Sequence, residues 1–235
     1  MDSNVTLVKD DNKSNQVNQA QYQSMVGSLM YASTATRPDI AFAVGRVSKF
    51  SSAPTTAHLT AVKRIFRYLK GTMHLGLGYE KTANVDLIGY SDADWAGDHD
   101  DRHATSGQVF LMGNGAVSWS SRKQSLVTLS TSEAEYVALS LASQEAIWLR
   151  RLMSDICESA EEPTNLFEDN QGTIAMAKNP VSHSRTKHID IKYHYVGEAI
   201  QKKEIQSCQF PLNINIEHKH ETSQLLSLDL SSDSE

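Results

Sequence analysis

Cysteine is almost missing. Cys157 and Cys208 are the only two in 235 residues and share no partner spacing, which argues against a disulfide framework or a cysteine-based zinc site. A reducing, intracellular setting is the simpler reading. No apolar run approaches the ~20 residues that a membrane span requires, and the amino end, Met1-Asp2-Ser3-Asn4, is too polar for a secretory signal. The expectation is a soluble chain, cytoplasmic or nuclear, with no membrane partner. Nucleophile chemistry is equally thin: there is no Gly-x-Ser-x-Gly elbow, and Gly76 and Gly78 form a lone Gly-x-Gly without the rest of a phosphate loop. His183, His188, His218 and His220 lack cysteine or acidic partners at zinc spacing. An excess of positive charge is missing too. The net charge is −6, which taken alone speaks against a nucleic-acid partner.

The average hides an asymmetry. Between residues 20 and 79 stand seven basic residues, Arg37, Arg46, Lys49, Lys63, Arg64, Arg67 and Lys70, against one acid, Asp39. This stretch is either a locally basic face or the solvated side of ordinary helices. Residues 1–18 offer little to bury and read as a disordered lead-in. After them Tyr22, Met25, Val26 and Leu29 keep helical spacing up to Thr36-Arg37-Pro38. Pro38 suits the first turn of a second helix with Ile40, Ala43, Val44 and Val47 inward, fading near Phe50. A third helix starts at Pro54, with Leu59, Val62, Phe66 and Leu69 inward, Lys63, Arg67 and Lys70 outward, and Gly71 as its C-cap.

From Met73 the period changes to two. Leu75, Leu77 and Tyr79 predict a strand, Val85 to Asp92 a second, and the runs on either side of Gly113-Asn114-Gly115 a hairpin. A long helix is predicted over about 131–156, with Ala134, Ala138, Leu139, Leu141, Ala142, Trp148, Leu149 and Leu152 on its apolar face. A strand over 164–168, a short helix from Gln171, a helix over about 189–202 and a last strand over 204–210 complete the domain.

Three acidic positions stand out. Val85 to Tyr90 ends abruptly in Ser91-Asp92, Glu135 lies in the apolar face of the long helix on one line with Leu139, Ala142, Ala146 and Leu149, and Asp169 follows a strand. Glu133, three residues after Ser130, suits a capping box. The competing frame puts Ser132 at the cap and makes Glu135 its partner. Three acids at two strand ends and a helix start can converge on one rim of a sheet as an all-oxygen site for a hard divalent cation. Phosphodiester hydrolysis by two such ions needs little else from the protein.

The ordered motifs Tyr90-Ser91-Asp92-Ala93-Asp94-Trp95-Ala96-Gly97, Ser120-Ser121-Arg122-Lys123-Gln124, Ser130-Thr131-Ser132-Glu133-Ala134-Glu135-Tyr136, Glu168-Asp169-Asn170-Gln171-Gly172 and Thr186-Lys187-His188-Ile189-Asp190 resemble the ribonuclease H domain of Ty1/copia-type retrotransposon Pol polyproteins. Gly27-Ser28-Leu29-Met30-Tyr31, Thr36-Arg37-Pro38-Asp39-Ile40 and Arg67-Tyr68-Leu69-Lys70-Gly71-Thr72 resemble the connecting region after the polymerase palm. The resemblance covers roughly residues 18–206. It implies an α/β, ribonuclease H-like mixed five-stranded sheet flanked by helices over residues 73–210. Before it comes a helical reverse-transcriptase connection over 19–72, and after it a diverged, disordered tail over 211–235.

The implied activity is cleavage of the RNA strand of an RNA–DNA hybrid with two Mg²⁺, Mn²⁺ being the substitute. The family's first three carboxylates fall on Asp92, Glu135 and Asp169, and Asp94 becomes a structural neighbour. Selectivity for the hybrid would come from ribose 2′-hydroxyls in the wide minor groove. Arg122, Lys123, Arg185 and Lys187 are the phosphate contacts expected from charge and position, and other Pol-derived chains are expected partners. No Tyr-x-Asp-Asp motif occurs, so DNA synthesis is not expected. Where the family has Ala-Asp-x-x-Thr-Lys, this chain reads Asn215-Ile216-Glu217-His218-Lys219-His220. That leaves the fourth carboxylate unassigned, with Asp190 the weaker match, and raises the alternative of a catalytically inactive remnant that keeps the fold and weak nucleic-acid binding.

Overall fold

The computed structural model describes residues 7–9, 17–79, 81, 86–95, 101–156, 162–178 and 190–210. Three helices come first: α1 (Gln19–Ala35), α2 (Ala41–Ser48), entered through a 3₁₀ turn at Pro38–Ile40, and α3 (Thr56–Gly71). They form because each carries one apolar stripe. Tyr22, Val26, Leu29, Ile40, Ala43, Val44, Val47, Phe50 and Val62 meet in a single buried cluster. Asn18 caps α1 by accepting the Gln21 N–H. Leu7 is buried in the same cluster, and the ring of His58 bonds the Val8 carbonyl at 3.1 Å. Part of the lead-in expected to bury nothing is therefore tied to α3. His58 itself is stacked on Phe50 and shares a reciprocal cap with Thr55.

Two corrections apply to this region. Gly71 ends α3 as a helical residue; Thr72 caps it instead, its hydroxyl donating to the Tyr68 carbonyl while accepting from Arg37 at 2.7 Å. Arg37 also grips Asp39 at 2.6 Å and lies over the Tyr68 ring. The second correction is that residues 73–79 form no strand. Met73, Leu75 and Tyr79 are largely exposed. Alternation alone could not show where this segment runs: it crosses the β2–β3 turn, with the Tyr79 hydroxyl on the Ala116 carbonyl.

The sheet has five strands in the order β3-β2-β1-β4-β5. Strands β1 (Ile88–Asp94), β2 (Thr105–Met112) and β3 (Gly115–Lys123) pair antiparallel. Strands β4 (Thr164–Glu168) and β5 (Ile205–Gln209) join parallel. This is the mixed, ribonuclease H-like architecture that the resemblance implied. The β2–β3 turn has positive φ at Gly113 (58°) and Asn114 (62°), the primed geometry that a two-residue hairpin needs and that glycine and asparagine tolerate.

Helix α4 (Thr131–Ile156) packs its buried face on the sheet, with α5 (Gln171–Lys178) and α6 (Asp190–Gln201) alongside. Leu139, Ala142 and Ala146 are fully buried there against Phe110, Leu166 and Ile205. Trp148 (56% exposed) and Leu152 are not on that face. They lie four residues apart on the outer side of α4, so the helix is apolar over a wider arc than the sheet covers. The helical region meets the sheet at β3, where the Trp119 indole N–H donates to the Ser33 carbonyl at 2.7 Å.

Candidate metal centre

Parallel pairing of β1 with β4 stops at Tyr90 and Phe167, so the two strands diverge where their acids begin. Along β1 side chains alternate: Tyr90 packs with Phe167 on one face, while Ala93 meets Ala134 and Ala138 of α4 on the other. Asp92 shares the parity of Tyr90 and Ser91 that of Ala93. Asp92 is not the strand's last residue, as β1 runs on to Asp94.

The start of α4 settles which glutamate caps it. The Ser130 hydroxyl accepts the Glu133 N–H at 3.2 Å, and the Glu133 carboxylate accepts the Leu129 N–H at 2.7 Å. Ser130 is therefore the cap, the frame based on Ser132 is not used, and Glu135 is left over. At 4% exposure Glu135 sits at the sheet, with Oε2 buried and without a hydrogen-bond partner among the described residues. Asp169 is exposed beside the start of α5, where the Asn170 side chain accepts the Thr173 N–H at 3.0 Å. The same Asn170 oxygen accepts the Ser132 hydroxyl, and the Thr173 hydroxyl donates to the Ser132 carbonyl. Two helix starts are thereby bolted together, one carrying Glu135 and the other following Asp169.

The result is a cluster in which one carboxylate oxygen each of Asp92, Glu135 and Asp169 lies within 4.8 Å of the others. Burial, then the charges of Asp169 and Asp94, push Asp92 up to about 6, against a backbone hydrogen bond at Ala93 that works downward. Burial and then the charges of Glu168, Asp92 and Asp169 hold Glu135 well above the usual carboxylate range. Such a group is stable as a carboxylate only beside a cation.

Sequence reasoning missed Glu168. It is fully buried, accepts the Ser91 hydroxyl at 2.8 Å and the Asn170 N–H at 3.4 Å, and lies near enough to Glu135 to hold that carboxyl group up. Burial raises it most, against those bonds from Ser91 and Asn170. The signal was present: Thr164, Leu166 and Glu168 alternate and all three are buried.

The remaining candidates are more scattered. Arg122 and Lys123 end β3, and with Arg46 of α2 and Lys49 just after it they line a cleft of about 240 Å³. Lys123 is ion-paired with Asp101. In the same motif Gln124 is structural, its amide donating to Ser106 and to the Ala134 carbonyl. Arg185, Lys187 and the Glu217-His218 pair lie outside the described residues. Asp190 is the first residue of α6, and its side chain is also outside them. Among the described residues no helix is long and apolar enough to cross a membrane.

No family model matches the chain. It is 43% identical over 194 residues to the retrovirus-related Pol polyprotein from transposon TNT 1-94 of Nicotiana tabacum, a match that takes in 83% of this chain but only 14% of that protein's length. The secreted RxLR effector protein 161 of Plasmopara viticola is 52% identical over 128 residues, 54% of this chain and 90% of that one. Among solved structures, the foamy viral protease-reverse transcriptase in complex with dsDNA aligns with 91% of this chain and 40% of its own, at a TM-score of 0.56 and 12% identity. That last likeness is one of fold.

Proposed function

Because this chain belongs to the retrovirus-related Pol polyproteins of copia-type transposons, we propose that it is their ribonuclease H portion joined to a helical connection, and that it cuts the RNA strand of RNA–DNA hybrids. The observation that carries the reading is the meeting of Asp92, Glu135 and Asp169 within 4.8 Å, with a buried Glu135 oxygen that no group among the described residues satisfies. An orphaned oxygen among three acids fits a hard divalent ion and little else. Mg²⁺ is the ion proposed, and Mn²⁺ the substitute.

When bound, a pair of such ions supplies charge neutralisation at the phosphate and activation of the attacking water. The chain's residues hold them. Asp92 comes from the central strand and Glu135 from the buried start of α4, while Asp169 comes from the more open end of β4. The exposed Asp169 leaves one side of the cluster accessible to a phosphodiester. Arg122, with Arg46 and Lys49 beside it, offers positive charge two strands from Asp92, roughly 10 Å away by strand spacing, where a neighbouring backbone phosphate would lie. The exposed row Lys63, Arg67 and Lys70 on α3 extends the same polarity into the helical region. Hybrid selectivity is assigned to contacts with ribose 2′-hydroxyls.

The test is an end-labelled RNA–DNA hybrid incubated with purified protein in Mg²⁺ or Mn²⁺, beside an Asp92→Asn, Glu135→Gln double variant. Cleavage of the RNA strand by the wild type alone supports the nuclease. No cleavage in either metal by folded protein would refute it and leave the inactive remnant.

A further inference from the structure

Glu168 is an expensive residue for its position. The two inward neighbours before it on β4 are Thr164 and Leu166, and Leu166 fills the core at no exposure. A carboxyl group at the next inward position, also without exposure, is costly to bury unless it has work to do. Its contacts say what the work is. Oε2 takes the Ser91 hydroxyl, next to Asp92; Oε1 takes the Asn170 N–H, next to Asp169; and the group stands beside Glu135, whose carboxyl it helps to raise. One side chain thus bonds the immediate neighbour of each strand-end acid and stands beside the helix-borne acid. Glu168 is not a member of the three-acid cluster, and both of its oxygens already accept bonds from the protein.

We propose that Glu168 is the positioning residue of the metal centre: it fixes the rotamer of Glu135 so that one oxygen is aimed between Asp92 and Asp169, and it locks β1 and the start of α5 at the matching separation. Outer-shell groups of this kind orient the ligands themselves, and their loss typically weakens metal affinity 10- to 100-fold. The inference rests on the three acids being the metal ligands.

The experiment is calorimetric titration of Mn²⁺ and Mg²⁺ into metal-free wild type, Asp92→Asn, Glu168→Gln, Glu168→Leu and Ser91→Ala, with circular-dichroism melting of each metal-free protein. Glu168→Gln keeps the shape and an acceptor for Ser91 but turns its NH2 toward the Asn170 N–H and loses that bond, so its affinity falls about three- to tenfold, and Glu168→Leu falls more than tenfold while remaining folded. Should the leucine variant not fold, Ser91→Ala takes its place: it removes only the anchor of Oε2 and is expected to weaken binding about three- to tenfold. Unchanged affinity in the folded leucine or alanine variant overturns the proposal. So does a glutamine variant as weak as leucine, which would make Glu168 a direct ligand through its charge. If Asp92→Asn binds as well as wild type, the ligand assignment itself falls, a result distinct from either of these; absence of binding by wild type removes both.

Discussion

Replacing Asp92 by asparagine should make the metal-free protein more stable at neutral pH, and the gain can be worked out. The folded state raises Asp92 from 3.8 to about 6. A carboxyl group with a raised folded value contributes its stability below the unfolded value and loses it as pH climbs to the folded one, because between the two the folded state holds the proton more tightly. A rise of that size corresponds to roughly 3 kcal/mol lost between pH 4 and pH 6. In a chain of this size that is roughly 6–12 °C of Tm. Asparagine removes this penalty while keeping the acceptor for the backbone at Ala93. Wild type and Asp92→Asn should therefore melt together at pH 4 and separate by that amount at pH 7, the variant being higher, when followed by circular dichroism in EDTA. Adding Mg²⁺ at about 100 times its dissociation constant restores about 2.7 kcal/mol to the wild type alone. A gap between the two proteins that stays flat from pH 4 to pH 7 refutes the argument, as does equal stabilisation of both by Mg²⁺.

Three further outcomes follow from the geometry. Gly89→Ala places a methyl group 2.4 Å from Leu166 Cδ2 and 2.6 Å from Phe110 Cε1, an overpacking worth about 1–3 kcal/mol in urea unfolding; a loss below about 0.5 kcal/mol would show that the β1–β4 packing is loose. Ser130→Ala removes the cap on the Glu133 N–H and should cost about 1 kcal/mol, with metal affinity retained, because Glu135 is held independently of the cap. The pair Arg122→Ala and Lys123→Ala should weaken hybrid binding and flatten the salt dependence of its logarithm by about 0.9 for each phosphate left without its cation; an unchanged slope removes both residues from the interface.

Much of this was legible in the chain. The stripes of α1 and α2, the Gly113-Asn114 turn and the inward line from Glu135 to Leu149 all follow from periodicity, because each element buries a single face. What stayed hidden depended on partners distant in sequence. Residues 73–79 alternate like a strand, yet they cross the β2–β3 turn, where Tyr79 bonds the Ala116 carbonyl, instead of running along a strand edge. Trp148 and Leu152 look like core because a helix can be apolar over a wider arc than the sheet covers. The choice between Glu133 and Glu135 could not be made from spacing, as two serines two residues apart each permit a cap; the hydrogen bonds at Leu129 and Ser130 decide it. Glu168 was overlooked because its neighbour Asp169 carried the motif, although its parity with Leu166 already placed it inside.

The fold also explains how three or four repelling acids can be kept close. β1 is the central strand, held by β2 on one side and β4 on the other, so Asp92 rides on the stiffest part of the sheet. Glu135 is anchored by a helix whose next inward residues, Leu139, Ala142 and Ala146, are fully buried; retreat of the carboxylate would mean lifting that whole row. The Asn170–Ser132 bond stops the start of α5 from drifting away. On the far side of the sheet, β3 would be an open edge, and α2 and the end of α1 close on it, Trp119 bonding the Ser33 carbonyl and Gly45 lying against the Ser121 carbonyl. The apolar cores thus supply the rigidity that the acids consume.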